Sequence, residues 1–155
     1  MDHTIKRTSG DRGIFLPDLK AAAAITPGEL LEFDGNGDLQ AHSTANGNAI
    51  PIVALEDSLR ESAAGTKQID TDVPAGDSVR AYIPAVGEQV YMFLADGANV
   101  AKGAFLASDG AGALQAVTAA AATSQAQRHG VVFVADEALD NSAGGARARI
   151  TVRRI

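Results

Sequence analysis

The sequence predicts an all-β domain, a compact pseudo-twofold β-barrel of β-tulip-like shape, with one short helix and an extended N-terminal arm. Three observations predict it. Glycine and proline punctuate the chain at intervals of roughly eight to twelve residues, with short alternating apolar segments between them, as in sandwiches and barrels. Of the 155 residues 46% are hydrophobic but only 5% aromatic, so the core must be built from small and branched side chains. One stretch also occurs twice. "ITPGELLEFDGNGDLQA" (25–41) aligns without gaps to "VAKGAFLASDGAGALQA" (100–116).

The first twenty residues stand apart from that pattern. "MDHTIKRTSGDRG" is polar and aperiodic, and "IFLPDLK" then presents Ile14, Phe15 and Leu16 just before a proline. Two readings are open. Either this is a frayed terminus that joins a first strand at Phe15, or it is an arm that orders on a partner with Phe15 and Leu16 as anchors. Residues 1–20 are accordingly set apart as an arm, mobile at least through Gly13. Residues 21–155 form the barrel, whose strands begin near Glu29.

Within the barrel, strands are predicted at 29–33, 38–42, 50–55, 66–70, 78–83, 88–94, 103–107, 113–117, 130–135 and 146–153. The segment 56–65, "EDSLRESAAG", predicts the short helix, with Asp57 or Ser58 as cap and Gly65 as stop. Residues 118–127 fit a helix by alanine content and a loop by the repeat. "IPIVALEDSL" (50–59) and "GVVFVADEAL" (130–139) extend the repeat, each an apolar strand running into an acidic pair. The repeat therefore covers 25–59 and 100–139, two copies of one unit sharing a core that neither could bury alone. In the last strand Ala148, Ile150 and Val152 face one way, and Arg147, Arg149, Thr151 and Arg153 the other.

"FDGNGDLQ" (33–40) resembles half of a calcium loop, with Asp34, Asn36 and Asp38 at alternate positions. Such a loop needs glycine at its sixth position and glutamate at its twelfth; these are Leu39 and Ala45. In the second copy Asn36 and Asp38 become Ala111 and Ala113, while Asp34, Gly35 and Gly37 recur as Asp109, Gly110 and Gly112. What recurs is turn chemistry, so the stretch reads as a hairpin tip.

Charge and composition exclude several function classes. Residues 21–146 hold sixteen Asp/Glu against five Lys/Arg, whereas "RARITVRRI" holds four Arg and no acid. An acidic body repels nucleic acid. No apolar run is long enough to span a bilayer, which predicts no membrane partner. Cysteine is absent, which removes disulfides and thiolate chemistry and fits a reducing compartment. No phosphate loop, nucleophile elbow or zinc helix motif occurs. His3, His42 and His129 read as isolated exposed histidines, although His42 and His129 could meet in space. The pairs Glu56–Asp57 and Asp136–Glu137 read as structural acids that cap the next turn, since a glycosidase needs carboxylates facing across a cleft. The chain is not expected to be an enzyme, to bind a metal or to carry a cofactor.

The arm, "ITPGELLEFDGNGDLQA", "VALEDSL", "GEQVYMFLADGANVAKGAFLASDGAGALQ" and the arginine-bearing "GGARARITVRRI" together resemble the head-decoration (cement) proteins of tailed bacteriophages, over roughly residues 25–155. The resemblance implies a viral structural protein on the exterior of the mature capsid, present in the host cytoplasm during assembly. It implies the major capsid protein as partner and a homotrimer at threefold or quasi-threefold positions that clamps neighbouring capsid subunits. In several such proteins the arm orders on the capsid, which makes Ile5, Lys6, Arg7, Arg12, Ile14, Phe15 and Leu16 the expected capsid contacts. The strong internal repeat departs from the pattern of some members. Two other classes compete. A biotinyl/lipoyl-like carrier barrel would present Lys67 or Lys102 at a hairpin tip, but "GTKQID" and "VAKGAF" lack the usual flanks. A small hydrolase would have only the acidic pairs to work with.

Overall fold

The computed structural model describes residues 4–6, 12–60, 65–117 and 130–155. Twelve strands make up nearly all of its regular structure: β1 (Ile14–Lys20), β2 (Leu30–Phe33), β3 (Leu39–Ala41), β4 (Ile52–Ala54), β5 (Ser78–Ile83), β6 (Gln89–Leu94), β7 (Asn99–Val100), β8 (Phe105–Ser108), β9 (Leu114–Ala116), β10 (Phe133–Ala135), β11 (Leu139–Asp140) and β12 (Ala148–Arg154). One five-stranded sheet has the order β1-β5-β4-β2-β3, and the strands β10-β12-β6-β9-β8 close into a barrel. Read from β6, the barrel runs β6-β12-β10-β8-β9, which is the order of the first sheet.

Register repeats as well as order. The β2–β3 pairs Leu31↔Ala41, Glu32↔Gln40 and Phe33↔Leu39 return in β8–β9 as Leu106↔Ala116, Ala107↔Gln115 and Ser108↔Leu114. The β4–β5 pairs Val53↔Tyr82 and Ala54↔Ala81 return in β10–β12 as Val134↔Arg153 and Ala135↔Val152. Even the closing seam is shared. The parallel contact Leu94↔Leu114 in the barrel matches the lone bridge Ala21↔Leu39. Beside these, Ala95 and Ala22 each donate a 2.8 Å bond to the carbonyl of Leu114 and Leu39 respectively. The chain is thus two copies of one five-stranded unit, residues 14–83 and 89–154.

The duplication is wider than the sequence predicts, and one of its alignments shifts. Because β2–β4 pairs Leu31↔Ile52 and β8–β10 pairs Leu106↔Phe133, Ile52 corresponds to Phe133. Aligning 50–59 with 130–139 on their acidic pairs is therefore off by one residue, a slip that would exchange inward and outward faces. In the structure Glu56, not Asp57, corresponds to Glu137.

The predicted arm is corrected by the same duplication. Its last seven residues are β1, the counterpart of β6, and pair with β5 from Ile14↔Ile83 to Lys20↔Ser78. Earlier still, Ile5 is fully buried, and Lys6 bridges Val90 on β6. The body's strands therefore begin at Ile14 rather than near Glu29. Pro17 and Asp18 hid this strand by breaking its alternation. The register slips between Leu16 and Leu19, and Asp18 takes the left-handed conformation (φ 53°). Two smaller expectations also change. Residues 66–70 contain a 3-10 turn, Gln68–Asp70, in place of a strand. At 56–60 there is one turn with no helix, in which Asp57 Oδ1 accepts the Leu59 N–H and Asp57 O accepts from Arg60. Residues 61–64 and 118–127 lie outside the described residues.

Each unit encloses apolar side chains, but the two units are not equivalent in what their outer faces do. Leu31, Leu39, Ile52, Ala54, Val79 and Ala81 fill the first unit. Leu106, Leu114, Phe133, Ala135, Ile150 and Val152 fill the second. Leu30, Val53 and Tyr82 form one row on the outer face of the first unit. All three are fully buried and belong to the second unit's cluster. Their counterparts on the second unit are Phe105, Val134 and Arg153, and here Phe105 remains 52% exposed. The units are joined through one unit's outside, with no reciprocal burial. Equilibrium urea unfolding should separate the two positions. Leu30→Ala should cost about 2–5 kcal/mol, as buried leucine truncations do, and Phe105→Ala no more than about 1 kcal/mol. Equal losses would contradict this account of the interface.

Candidate interaction surface

The strand β1 lies at one end of its sheet, and among the described residues β5 is its only strand partner over Ile14–Leu19. Its start is anchored by a buried carboxylate. Glu88, only 2% exposed, follows the turn after β5. Its Oε2 accepts the Tyr82 hydroxyl at 2.6 Å and the Ala85 N–H at 2.7 Å, and its Oε1 accepts the Arg12 N–H at 3.2 Å. Tyr82 Oη in turn accepts the Gly13 N–H at 2.8 Å. Burial alone would raise the Glu88 carboxyl, but the bonds from Tyr82, Ala85 and Arg12 outweigh it and hold the group below its ordinary value. The chain's entry into β1 is thus tied to the turn before β6.

The seven residues predicted to contact a partner are divided by this anchorage. Ile14 and Phe15 are 63% and 44% exposed on opposite faces of β1, and Phe15 rests its ring 4.8 Å from that of Tyr82 at 48°. Arg12 is exposed beside them, and Val86, 72% exposed, lies just beyond Ile83, the strand partner of Ile14. Leu16 packs against the first unit's core and Ile5 is fully buried, so neither offers a free contact surface. Lys6 is half-buried, with Nζ 5.4 Å above the Tyr82 ring. Arg7 lies outside the described residues.

The other candidates have structural partners. Asp34 Oδ1 accepts the backbone N–H groups of Asn36 (2.8 Å) and Asp38 (2.9 Å); Asp109 Oδ1 accepts those of Ala111 (2.7 Å) and Ala113 (3.0 Å). Both stretches are hairpin tips closed by an aspartate. The Asn36 N–H bond is the main reason that the Asp34 carboxyl lies below its ordinary value. Among the described residues no group of three His, Cys, Asp or Glu is placed to hold a metal ion. Glu56 accepts the Ile5 N–H at 3.1 Å, Glu137 the Thr151 N–H at 2.6 Å, and Asp136 pairs with Arg153 at 2.8 Å. The acids thus hold strands and the N-terminal segment in place, beyond capping turns as the sequence suggests.

His42 is buried, contrary to the exposed position expected of it. It joins the two units, with Nδ1 2.9 Å from Ser108 Oγ and Nε2 3.0 Å from Asn48 O. His3 and His129 lie outside the described residues. The arginine strand is also a joint between units. Arg147 pairs with Glu29, and Arg149 donates to Pro27 O at 2.8 Å and reaches Asp70 at 3.1 Å. Both guanidinium groups lie over the Phe93 ring, 3.9 and 4.0 Å from its centre.

Lys102 lies in the turn between β7 and β8, which pair with other strands and not with each other. Lys67 precedes the 3-10 turn. Neither stands at a hairpin tip, as a carrier lysine would.

No protein-family model matches the chain, and no curated protein matches it. Tyr82 and Glu88 carry no sequence signature of their own; only recognition of β6 as the counterpart of β1 would have drawn attention to the segment between them.

Two measurements check this account. Replacing Glu88 with Gln removes charge-assisted bonds worth about 1.5–3 kcal/mol to a charged group, so Tm at neutral pH should fall by roughly 3–10 °C. Because the folded carboxyl is depressed, its contribution is present above the unfolded-state value and is lost as pH falls through the folded one. The gap between wild type and Glu88→Gln should therefore narrow in acid, and a gap independent of pH would refute the assignment. In the same assay, calcium or a chelator should leave Tm unchanged. A saturable rise with calcium would show that the Asp34 loop binds metal.

Proposed function

We propose that the protein is a capsid decoration protein, a viral structural component that binds the outside of the mature capsid of a tailed bacteriophage and cements neighbouring capsid subunits. It does so without catalysis, as a homotrimer at threefold or quasi-threefold positions. The observation that carries the reading is the pair of exposed apolar side chains Ile14 and Phe15, one on each face of a strand anchored at its start by Glu88. It supports a docking role because a strand fixed in place loses little further conformational entropy on binding. Full burial of each side chain would add roughly 1.5–3 kcal/mol. Arg12 beside this pair can meet acidic groups on a capsid, a contact weakened by salt. Weak single contacts suffice where a lattice repeats them.

The earlier expectation of a free arm that orders on the capsid is narrowed accordingly. Contact is assigned to Arg12, Ile14 and Phe15, while Ile5 and Leu16 serve the fold. The test is co-sedimentation with expanded capsids of the cognate major capsid protein, with images of the pelleted particles. Wild type should pellet and appear as knobs at threefold positions. The Ile14→Ser/Phe15→Ser variant should keep its circular dichroism and bind at least about tenfold more weakly, the loss expected for roughly 1.4 kcal/mol. No binding by wild type would overturn the function. Undiminished binding by the folded variant would move the contact to another face.

A further inference from the structure

All five strands of the first unit start or stop at one end of it. Strands β1, β3 and β4 begin there, and β2 and β5 finish there, as their antiparallel pairing requires. Four of the eight large apolar side chains exposed among the described residues belong to that end. Ile14 starts β1, Phe33 closes β2, Ile50 precedes β4, and Val86 lies in the turn after β5. Ile83, the strand partner of Ile14, is half-buried there. Single exposed apolar residues are ordinary, whereas several gathered at one place mark an interaction site.

The fold itself does not require apolar residues at these positions. The ladders place Ile14 on Glu88, Ile83 on Arg154, Phe33 on Ser108 and Ile50 on Val131 of the second unit. By the same count Pro17 falls on Tyr91, whose N–H donates to Ile5 O. Glu88 and Ser108 are buried and hydrogen-bonded, and Arg154 donates to Pro84 O at 2.7 Å. The second unit thus finishes this end with polar groups that bond within the molecule, and the first leaves apolar ones exposed.

Charge is ordered across the same end. On the side of β1 and the turn after β5 stand the exposed Arg12, Arg154, and Arg153, which donates to Gly87 O at 3.0 Å. Of the acids on that side Glu88 is buried and Asp136 is paired with Arg153. On the far side is the β2–β3 tip with Asp34 and Asp38, in a stretch, 21–59, that contains no Lys or Arg. The strand order therefore reads basic, apolar, acidic.

We infer that this end face is where copies of the chain meet. A face basic on one side and acidic on the other complements itself. A half turn lays each copy's basic side on the other's acidic side, and a third of a turn does so around a closed ring. The apolar centre supplies the area, and the charges set the register. A wholly acidic partner would match only half of the face, and the acidic tip would repel a nucleic acid. The inference concerns copies of this chain alone and goes beyond the capsid reading. Ile14 and Arg12, assigned above to docking, form only its margin on β1.

Sedimentation velocity on the free full-length protein tests it. Wild type should associate reversibly below about 1 mM, and less tightly in about 1 M than in about 0.1 M chloride, where charges reach about 10 Å. The Phe33→Ser/Ile50→Ser variant should keep its circular dichroism and associate at least about tenfold more weakly. Charge reversal provides a second check that leaves the apolar centre and Asp34 intact. Arg12→Glu and Asp38→Arg should each weaken association roughly threefold to tenfold, and the two together should restore it, because the reversed sides again match. A wild type that stays monomeric at about 1 mM overturns the inference. So does undiminished association of the folded apolar variant, or a double charge variant as weak as the single ones. No capsid enters the experiment, so its failure is read separately from that of the docking role.

Discussion

The structure depends on the burial of one outward-facing row, Leu30–Val53–Tyr82, on the first unit. A strand in a small barrel has an inner face that must be apolar and an outer face that is free to be anything. Here the first unit spends its outer face on a neighbour: all three residues are fully buried and share a cluster with the second unit's interior. The polar periphery of the joint follows from that burial. The first unit presents carbonyls and acids near this row, at Pro27, Glu29, Ile69 and Asp70. The second meets them with Arg147 and Arg149, whose planes lie over Phe93. Burial pulls the Arg149 guanidinium below its ordinary value, and the neighbouring Asp70 opposes that. Asp70 is half exposed, so solvent screens the pair and it adds little net stability.

The same row explains why the chain's first residues belong to the body. Tyr82 is buried on one side by the second unit, and around it gather Lys6, Gly13, Phe15 and Glu88. Its hydroxyl needs partners once removed from water, and the Gly13 N–H and the Glu88 carboxylate supply them. Meeting that need draws residues 12–13 onto the turn before β6 and places residues 4–6 within reach of its edge. Gly13 is held by the hydrogen-bonding requirement of one tyrosine, and Ile5 by its buried side chain and its main-chain bonds to Glu56 and Tyr91.

Much of this was legible in the sequence, and what was hidden has physical reasons. Glycine and aspartate at the hairpin tips, Asp34 with Gly35 and Asp109 with Gly110, are local signals tied to backbone geometry, and both tips form as read. Alternation in β12 correctly separated Ile150 and Val152 from Arg149 and Arg153. Alternation failed in β1 because Pro17 and a left-handed Asp18 shift its register. It failed again at 66–70, where Ile69 is buried from a 3-10 turn. The alignment of the two acidic pairs was misled by chemistry: similar residues in consecutive positions outweighed the one-residue offset that the ladders require. The Glu88–Tyr82 pair could not be read at all, since its meaning comes from the approach of Arg12 and Gly13 across the fold. Ile5 was picked out as a contact residue, but its contact is internal.

The two edges of the duplicated unit bear on how a partner could be engaged. If the protein docks through β1, as proposed, the proline at position 17 prevents that edge from growing a sheet with the partner at the position where β6 grows one with residues 4–6. Recognition there must come from side chains that point out of the sheet, Ile14 and Phe15, and from charge nearby. Such contacts discriminate by shape and apolar area, whereas edge pairing gives affinity through main-chain bonds that almost any extended segment can make. A blunted edge also protects the free protein, since an exposed strand edge is a template for unwanted pairing. The duplication thus produced one edge that pairs by backbone and is filled from within the chain. Its counterpart is closed to backbone pairing at that position and left with apolar side chains, which is the division of labour a protein needs if it must stay soluble alone and still adhere to one particular surface.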